Sequence, residues 1–243
     1  MSQGPNGDDP QPGDWRRRLA AEAFGTFALV FVAVGADTMA AVSGGEVSAA
    51  ARAVAPGLMV AALIYSIGDV SGAHLNPAVS LAFTLRRLFP ARWLAGYWAA
   101  QVVGAFAATA VLRVLFGGAV QAGVSAPHVP AATALVLEVI LTWLLVTIIL
   151  GTADRHRIVG PDAALAVGAT IVLCGLIAGP IDGASMNSAR SLAPALVTGS
   201  LADLWIYVLG PVVGAALAVL LTRHLHGPTE TDEEAQQAAR GEQ

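Results

Sequence analysis

Residues 72–82 read Gly72-Ala73-His74-Leu75-Asn76-Pro77-Ala78-Val79-Ser80-Leu81-Ala82, and residues 183–193 read Gly183-Ala184-Ser185-Met186-Asn187-Ser188-Ala189-Arg190-Ser191-Leu192-Ala193. Each is a short turn that ends in Asn and opens an apolar run of ~10 residues, about half a bilayer in helical rise. The likeness extends outward. Glu22 with Thr26 matches Glu138 with Thr142 upstream, and Gln101-Val-Val-Gly104-Ala matches Pro211-Val-Val-Gly214-Ala downstream. The chain is therefore an internal repeat, with halves at about 17–118 and 131–226.

The composition says which solvent the repeat folds in. Of 243 residues, 56% are hydrophobic and 12% are charged, with 26 glycines besides. A soluble domain carries ~25% charged residues. Disorder is excluded, and an ordinary soluble enzyme does not fit. Six apolar stretches, at about 18–42, 52–68, 92–116, 131–151, 162–180 and 203–225, have the ~20 residues a transmembrane helix needs. Three spans per half, an odd number, invert one half relative to the other. The expected fold is an all-α membrane protein of six transmembrane helices plus two re-entrant half-helices in an inverted repeat. Residues 15–226 form the membrane body. The polar tails, 1–14 and 227–243, hold eight of the 17 acids against one Arg, so the net charge of −4 owes much to them, and they are expected to be unordered.

Arginine placement gives the orientation. Arg16, Arg17, Arg18, Arg86, Arg87, Arg92, Arg155, Arg157, Arg223 and Arg240 fall on one side, and only Arg52, Arg113 and Arg190 fall elsewhere. The positive-inside rule then puts both termini in the cytoplasm. There is no Lys. That reads as a GC-rich genome and points to a bacterial inner membrane. The one cysteine, Cys174, cannot form an internal disulfide.

The repeated Asn explains how a half-helix can start inside lipid. The first N–H groups of a helix lack partners, which is tolerable only inside protein or beside a wet cavity. An Asn side-chain oxygen caps them, leaving its NH₂ as a donor. Half-helices entering from opposite faces would meet tip to tip, with two amide donors and two positive dipole ends at the centre. Glu22 and Glu138 lie among apolar neighbours inside spans one and four. They read either as an ion relay or as acceptors for the N–H groups of the re-entrant loops, and the second reading suits a pair repeated by symmetry. His74 reads as a brace in the first loop. Arg190 reads as facing a wet cavity, where it repels cations and donates to solute oxygens, or as snorkelling to the interface. Gly210 with Gly214, and Ala100 with Gly104, give spans six and three small residues for close helix approach.

The motif residues Asn76, Pro77 and Ala78, and Asn187, Ser188 and Ala189, resemble the paired Asn-Pro-Ala loops of the aquaporin/glycerol-facilitator (major intrinsic protein) family. LIYSIGDVSGAHLNPAVSLAF followed by RRLFP resembles its nodulin-26-like branch and bacterial relatives. The resemblance covers about 17–226 and implies a homotetramer in the lipid bilayer, each subunit with its own pore. It implies passive conduction of water and small neutral solutes, such as glycerol-like polyols or arsenous and boric acids. The four constriction positions of the family fall on Pro56, Gly175, Ala184 and Arg190. Pro and Gly at the first two imply a wide filter. Three residues depart from the family pattern: Ser188 replaces Pro, Ser191 replaces the Asp of the glycerol branch, and Asp69 stands where many members carry a loop His. Inverted repeats also build ion-coupled secondary transporters, the alternative reading. The sequence points to no cofactor, metal, nucleic-acid partner or enzymatic activity: it has no nucleophile–base pair, metal cluster or phosphate loop.

Overall fold

Apolar runs without partners for their backbone can cross lipid only as helices or closed barrels, and helices satisfy every N–H within one segment. The computed structural model describes residues 12–153, 161–227 and 233–241, and among them there is no strand. The helices are α1 (Pro12–Val42), α2 (Ala49–Ser71), α3 (Pro77–Leu85), α4 (Ala91–Phe116), α5 (Ala131–Ala153), α6 (Pro161–Asp182), α7 (Ser188–Thr198), α8 (Ile206–His226) and α9 (Glu233–Arg240). A 3₁₀ turn spans Gly117–Gly123. Six of these are long and apolar enough to cross a membrane: α1, α2, α4, α5, α6 and α8. The half-helices α3 and α7, of 9 and 11 residues, run back out from the centre. Local caps set the ends of α2. Ser48 Oγ accepts from the N–H of Ala51 at 3.1 Å, and Gly72 closes the helix in a left-handed conformation.

The packing repeats with the sequence. Helix α1 lies on α4, α5 lies on α8 in the same way, and α2 crosses α6 between the two halves. Small residues permit these contacts. A Cβ on Gly104 would collide with the carbonyl of Ala23, and one on Gly214 would sit 2.5 Å from the carbonyl of Val139. Residues 104 and 23 correspond to 214 and 139 in the repeat, so one crossing is built twice. At the central crossing Gly57 and Gly168 face each other: a Cβ on either would come within 2.5 and 2.7 Å of the other's carbonyl oxygen. The lipid-facing side keeps large apolar residues exposed, among them Leu58, Val103, Val114, Leu165 and Ile177.

Within the tail beyond residue 226, the described residues 233–241 depart from the expectation of no order. Residues Glu233–Arg240 form α9, and Ala239 is fully buried beside Phe83, Phe89 and Trp93. Its run of Glu, Ala and Gln is a strong helix former, and a docking site at the membrane body supplies the burial that composition could not reveal. The first helix begins at Pro12, inside the other tail. Residues 1–11, 228–232 and 242–243, and Arg155 with Arg157, lie outside the described residues.

Candidate functional site: two crossed loops and the cavity beside them

Both half-helices start from an Asn in extended conformation. Asn76 Oδ1 accepts from the N–H of Ala78 at 2.9 Å. Asn187 Oδ1 accepts from Ala189 at 3.0 Å and Arg190 at 3.3 Å. The amide NH₂ groups are not wholly free, as the sequence had suggested. Asn76 Nδ2 donates to the carbonyl of Met186 at 2.7 Å, and Asn187 Nδ2 donates to that of Leu75 at 2.8 Å. Each tip is thus fastened to the residue preceding the other tip. One N–H of each amide remains, and both Asn side the same cavity.

The loops feeding the tips share an unusual backbone. Ala73 and Leu75 have φ of 46° and 54°, and their counterparts Ala184 and Met186 have 43° and 52°. Non-glycine residues in the left-handed region cost about 1–3 kcal/mol each, so the surroundings must hold them. The two glutamates stand at the right places. Glu22 Oε1 accepts from the N–H of His74 (2.9 Å) and from Ser71 Oγ (2.8 Å), and Oε2 accepts from the N–H of Leu75 (2.8 Å) and Gln101 Nε2 (2.7 Å). Glu138 Oε1 accepts from the N–H of Ser185 at 2.6 Å, and Oε2 accepts from Met186 at 2.9 Å. Both carboxylates are fully buried.

The two braces differ in one respect. Tyr97 donates to the carbonyl of Ser71 at 2.8 Å, and Tyr207 donates to that of Asp182 at 2.6 Å, so Asp182 is the counterpart of Ser71. Ser71 Oγ also accepts from the N–H of Ala73 at 3.2 Å, as Asp182 Oδ1 accepts from Ala184 at 2.9 Å. Ser71 then has a proton to give to Glu22. An ionised Asp182 has none for Glu138. Its Oδ2 is buried with no hydrogen-bond partner among the described residues.

His74 is buried against the rings of Phe83, Phe89 and Tyr97. Its Nε2 lies 2.9 Å from the carbonyl oxygen of Ala239, and its Nδ1 lies 3.0 Å from Ser80 Oγ. A carbonyl can only accept, so Nε2 carries the proton. This ring ties the first loop to α3 and to α9.

One cavity runs beside both loops. It is lined by loop residues from Gly72 to Asn76 and from Gly183 to Asn187, and by Pro56, Gly175 and Arg190. The structure thus brings Asn76, Asn187, Pro56, Gly175, Ala184 and Arg190 to one space. Pro77, Ala78, Ser188 and Ala189 form the first turns of the half-helices instead. Gly175 also has a packing role: a Cβ there would stand 3.1 Å from that of Ala53 on α2. Cys174 is buried in the apolar cluster with Leu63 and Ile64.

Arg190 is held on three sides. Nη1 donates to the carbonyl of Gly123 at 3.2 Å and to Ser125 Oγ at 2.5 Å, and Nη2 meets Asp37 Oδ2 at 3.2 Å. Ser191 belongs to the same scaffold. Its Oγ lies 2.6 Å from both Ser125 Oγ and Ser185 Oγ, and Ser185 Oγ donates to the carbonyl of Asn187. A chain of serines therefore links the loop just after the 3₁₀ segment to the second Asn. Sequence reasoning missed Ser125, which lies between the two repeats, and Asp37, whose counterpart in the second half is Ala153.

The comparisons agree with this geometry. The sequence pattern of the major intrinsic protein family matches residues 11–222. Aquaporin NIP1-1 of Zea mays is 46% identical over 206 residues, covering 82% of this chain and 71% of the relative. Aquaporin NIP3-1 of Arabidopsis thaliana is 44% identical over 208 residues, covering 82% and 64%. The X-ray structure of the aquaglyceroporin from Plasmodium falciparum superposes with a TM-score of 0.78 at 24% identity, covering 86% of this chain and 95% of that one, which shows a common fold. With that match over most of its length, and with two half-helices capped by Asn and crossed at the centre, this chain belongs to the major intrinsic protein family.

Proposed function

We propose that this protein is a passive channel for water and small uncharged solutes of the size of glycerol, boric acid and arsenous acid. One observation carries the reading: the crossed Asn76 and Asn187 tips and the Arg190 guanidinium side one cavity. A neutral hydroxylic solute can accept from the spare amide N–H groups and from Arg190 while it donates to backbone carbonyls. A cation that sheds its water there meets amide donors, two positive helix ends and a guanidinium, so its lost hydration is not replaced. Pro56, Gly175 and Ala184 carry little bulk, which supports passage of solutes larger than water.

Six candidate spans, an even number, support both termini lying on one face. We assign that face to the cytoplasm from the arginines, in a bacterial inner membrane. We further assign one pore to each chain, because one chain supplies the whole lining of the cavity, and a homotetramer, because the family resemblance implies one.

Stopped-flow swelling of proteoliposomes tests the solute class. Wild type should pass water, glycerol and boric acid. Pro56→Phe should keep water flux and lose glycerol. This single substitution is cleaner than one at Gly175, where any side chain presses on Ala53. Passage of water alone by wild type would overturn the wide-filter reading.

A further inference from the structure

Three charged side chains meet at the outer end of the cavity, and none of them has a charged counterpart in the other half, where position 79 is Val against Arg190. Asp37 lies near the end of α1, and Arg52 lies in the first turn of α2. Asp37 Oδ1 sits 3.1 Å from Arg52 Nη1, and Oδ2 sits 3.2 Å from Arg190 Nη2. One carboxylate thus bridges two guanidiniums, and all three residues line the cavity. The positions that correspond to 37 and 52 through the repeat are 153 and 163, both Ala. The collar is therefore not part of the shared scaffold.

Its place bears on passage. Arg52 precedes Pro56 by one helical turn, about 6 Å of rise toward the outside. It stands just above the level where Pro56 and Gly175 leave the wall bare. Its neighbour Ala53 is the residue pressed against Gly175. The side chain of Arg52 keeps 38% of its surface exposed, against 9% for Arg190. Among the described residues its only hydrogen bond to protein is to Asp37, so most of its five N–H groups are unspent. Arg190 has two further anchors, Gly123 at the end of the 3₁₀ segment and Ser125 just beyond it, and does not depend on Asp37 alone.

Resting on the channel reading above, we propose that Arg52 is a fifth filter residue and that Asp37 is the residue that positions it. Arg52 fills the mouth that the small wall residues leave open. It sets an upper size limit, so that three-carbon polyols and trihydroxides pass and four-carbon polyols do not. It also offers the entering solute a second guanidinium, one turn before Arg190. Asp37 holds Arg52 against the α1 side and offsets one of the two positive charges.

The test is the ratio of erythritol to water permeability in proteoliposomes, with glycerol as the internal reference. Wild type should pass glycerol and hold back erythritol. Arg52→Ala should raise the erythritol-to-water ratio roughly three- to tenfold, a barrier lower by about 0.7–1.4 kcal/mol, because Ala lacks the side chain that narrows the mouth. Arg52→Leu, which keeps bulk without charge, should leave that ratio near wild type. Asp37→Ala, which releases Arg52 without shortening it, should shift the ratio in the direction of Arg52→Ala. The double variant should show less than the product of the two single effects, because both act through one contact. The proposal is overturned if wild type passes erythritol as readily as glycerol, or if neither Arg52→Ala nor Asp37→Ala changes the ratio. Loss of glycerol flux in wild type would instead refute the channel reading beneath it.

Discussion

Replacing Asp182 with Ser should make this protein more stable. The repeat supplies the reason. In the first half Ser71 Oγ donates to Glu22 at 2.8 Å while accepting from the N–H of Ala73. In the second half Asp182 accepts from Ala184, leaves Oδ2 buried without a partner and faces the loop that Glu138 braces. Asp182→Ser keeps the acceptor for Ala184, removes the orphaned oxygen and adds a donor for Glu138. A buried polar atom without a partner costs about 1–3 kcal/mol, and this is the gain expected. For a chain of this length each kcal/mol moves the thermal midpoint by roughly 2–4 °C, so the variant should melt several degrees higher. The assay is thermal unfolding in detergent micelles, followed by tryptophan fluorescence. The reverse exchange, Ser71→Asp, is the control. It puts a second carboxylate beside Glu22 where Ser71 now donates at 2.8 Å, and should lower the midpoint. A midpoint for Asp182→Ser at or below wild type would refute the reasoning, because it would mean that the orphaned oxygen carries no penalty.

The remaining predictions concern the braces and the crossings. Glu138→Ala leaves the N–H groups of Ser185 and Met186 without an acceptor, which costs about 1–3 kcal/mol for each, while Glu138→Gln keeps one acceptor. Folded yield by size-exclusion chromatography should therefore fall more for Ala than for Gln. Glu22→Ala should fall furthest, since it strands four donors. Gly57→Val should reduce yield and thermal midpoint by overpacking the α2–α6 crossing, at about 1–3 kcal/mol, because its Cβ would press on the carbonyl of Gly168.

Much of this fold is legible in the sequence because two of its signals are local. An Asn before a short apolar run marks a half-helix start wherever it occurs, and α3 and α7 begin immediately after Asn76 and Asn187. Glycine four residues from another small residue, as at Gly210 and Gly214, marks a close helix approach in any context. What the sequence hides depends on partners far along the chain. Gly57 and Gly168 look like isolated helical glycines until α2 and α6 cross. The Asn amides look free until each loop finds the other's carbonyl. Asp69, taken as a loop residue, lies in the last turn of α2 and is exposed. Arg52 appears only as an exception to the charge bias, because nothing local shows that Asp37 lies within reach. The helix α9 needed a docking surface, which polar composition cannot announce. The Ser71 and Asp182 difference sits one residue before the repeated motif and was open to reading there. Its meaning lies in the bond from Ser71 to Glu22, which has no equivalent between Asp182 and Glu138 among the described residues.

The most direct test is solute flux under imposed ion gradients. Proteoliposomes holding the wild-type protein would be given a glycerol gradient, with sodium and proton gradients of either sign or none. Glycerol flux should be the same in every case, should rise linearly with concentration, and should come with no sodium or proton current across a planar bilayer. Flux that follows the sodium or proton gradient, or a substantial cation current, would contradict passive conduction of neutral solutes and make the protein an ion-coupled transporter.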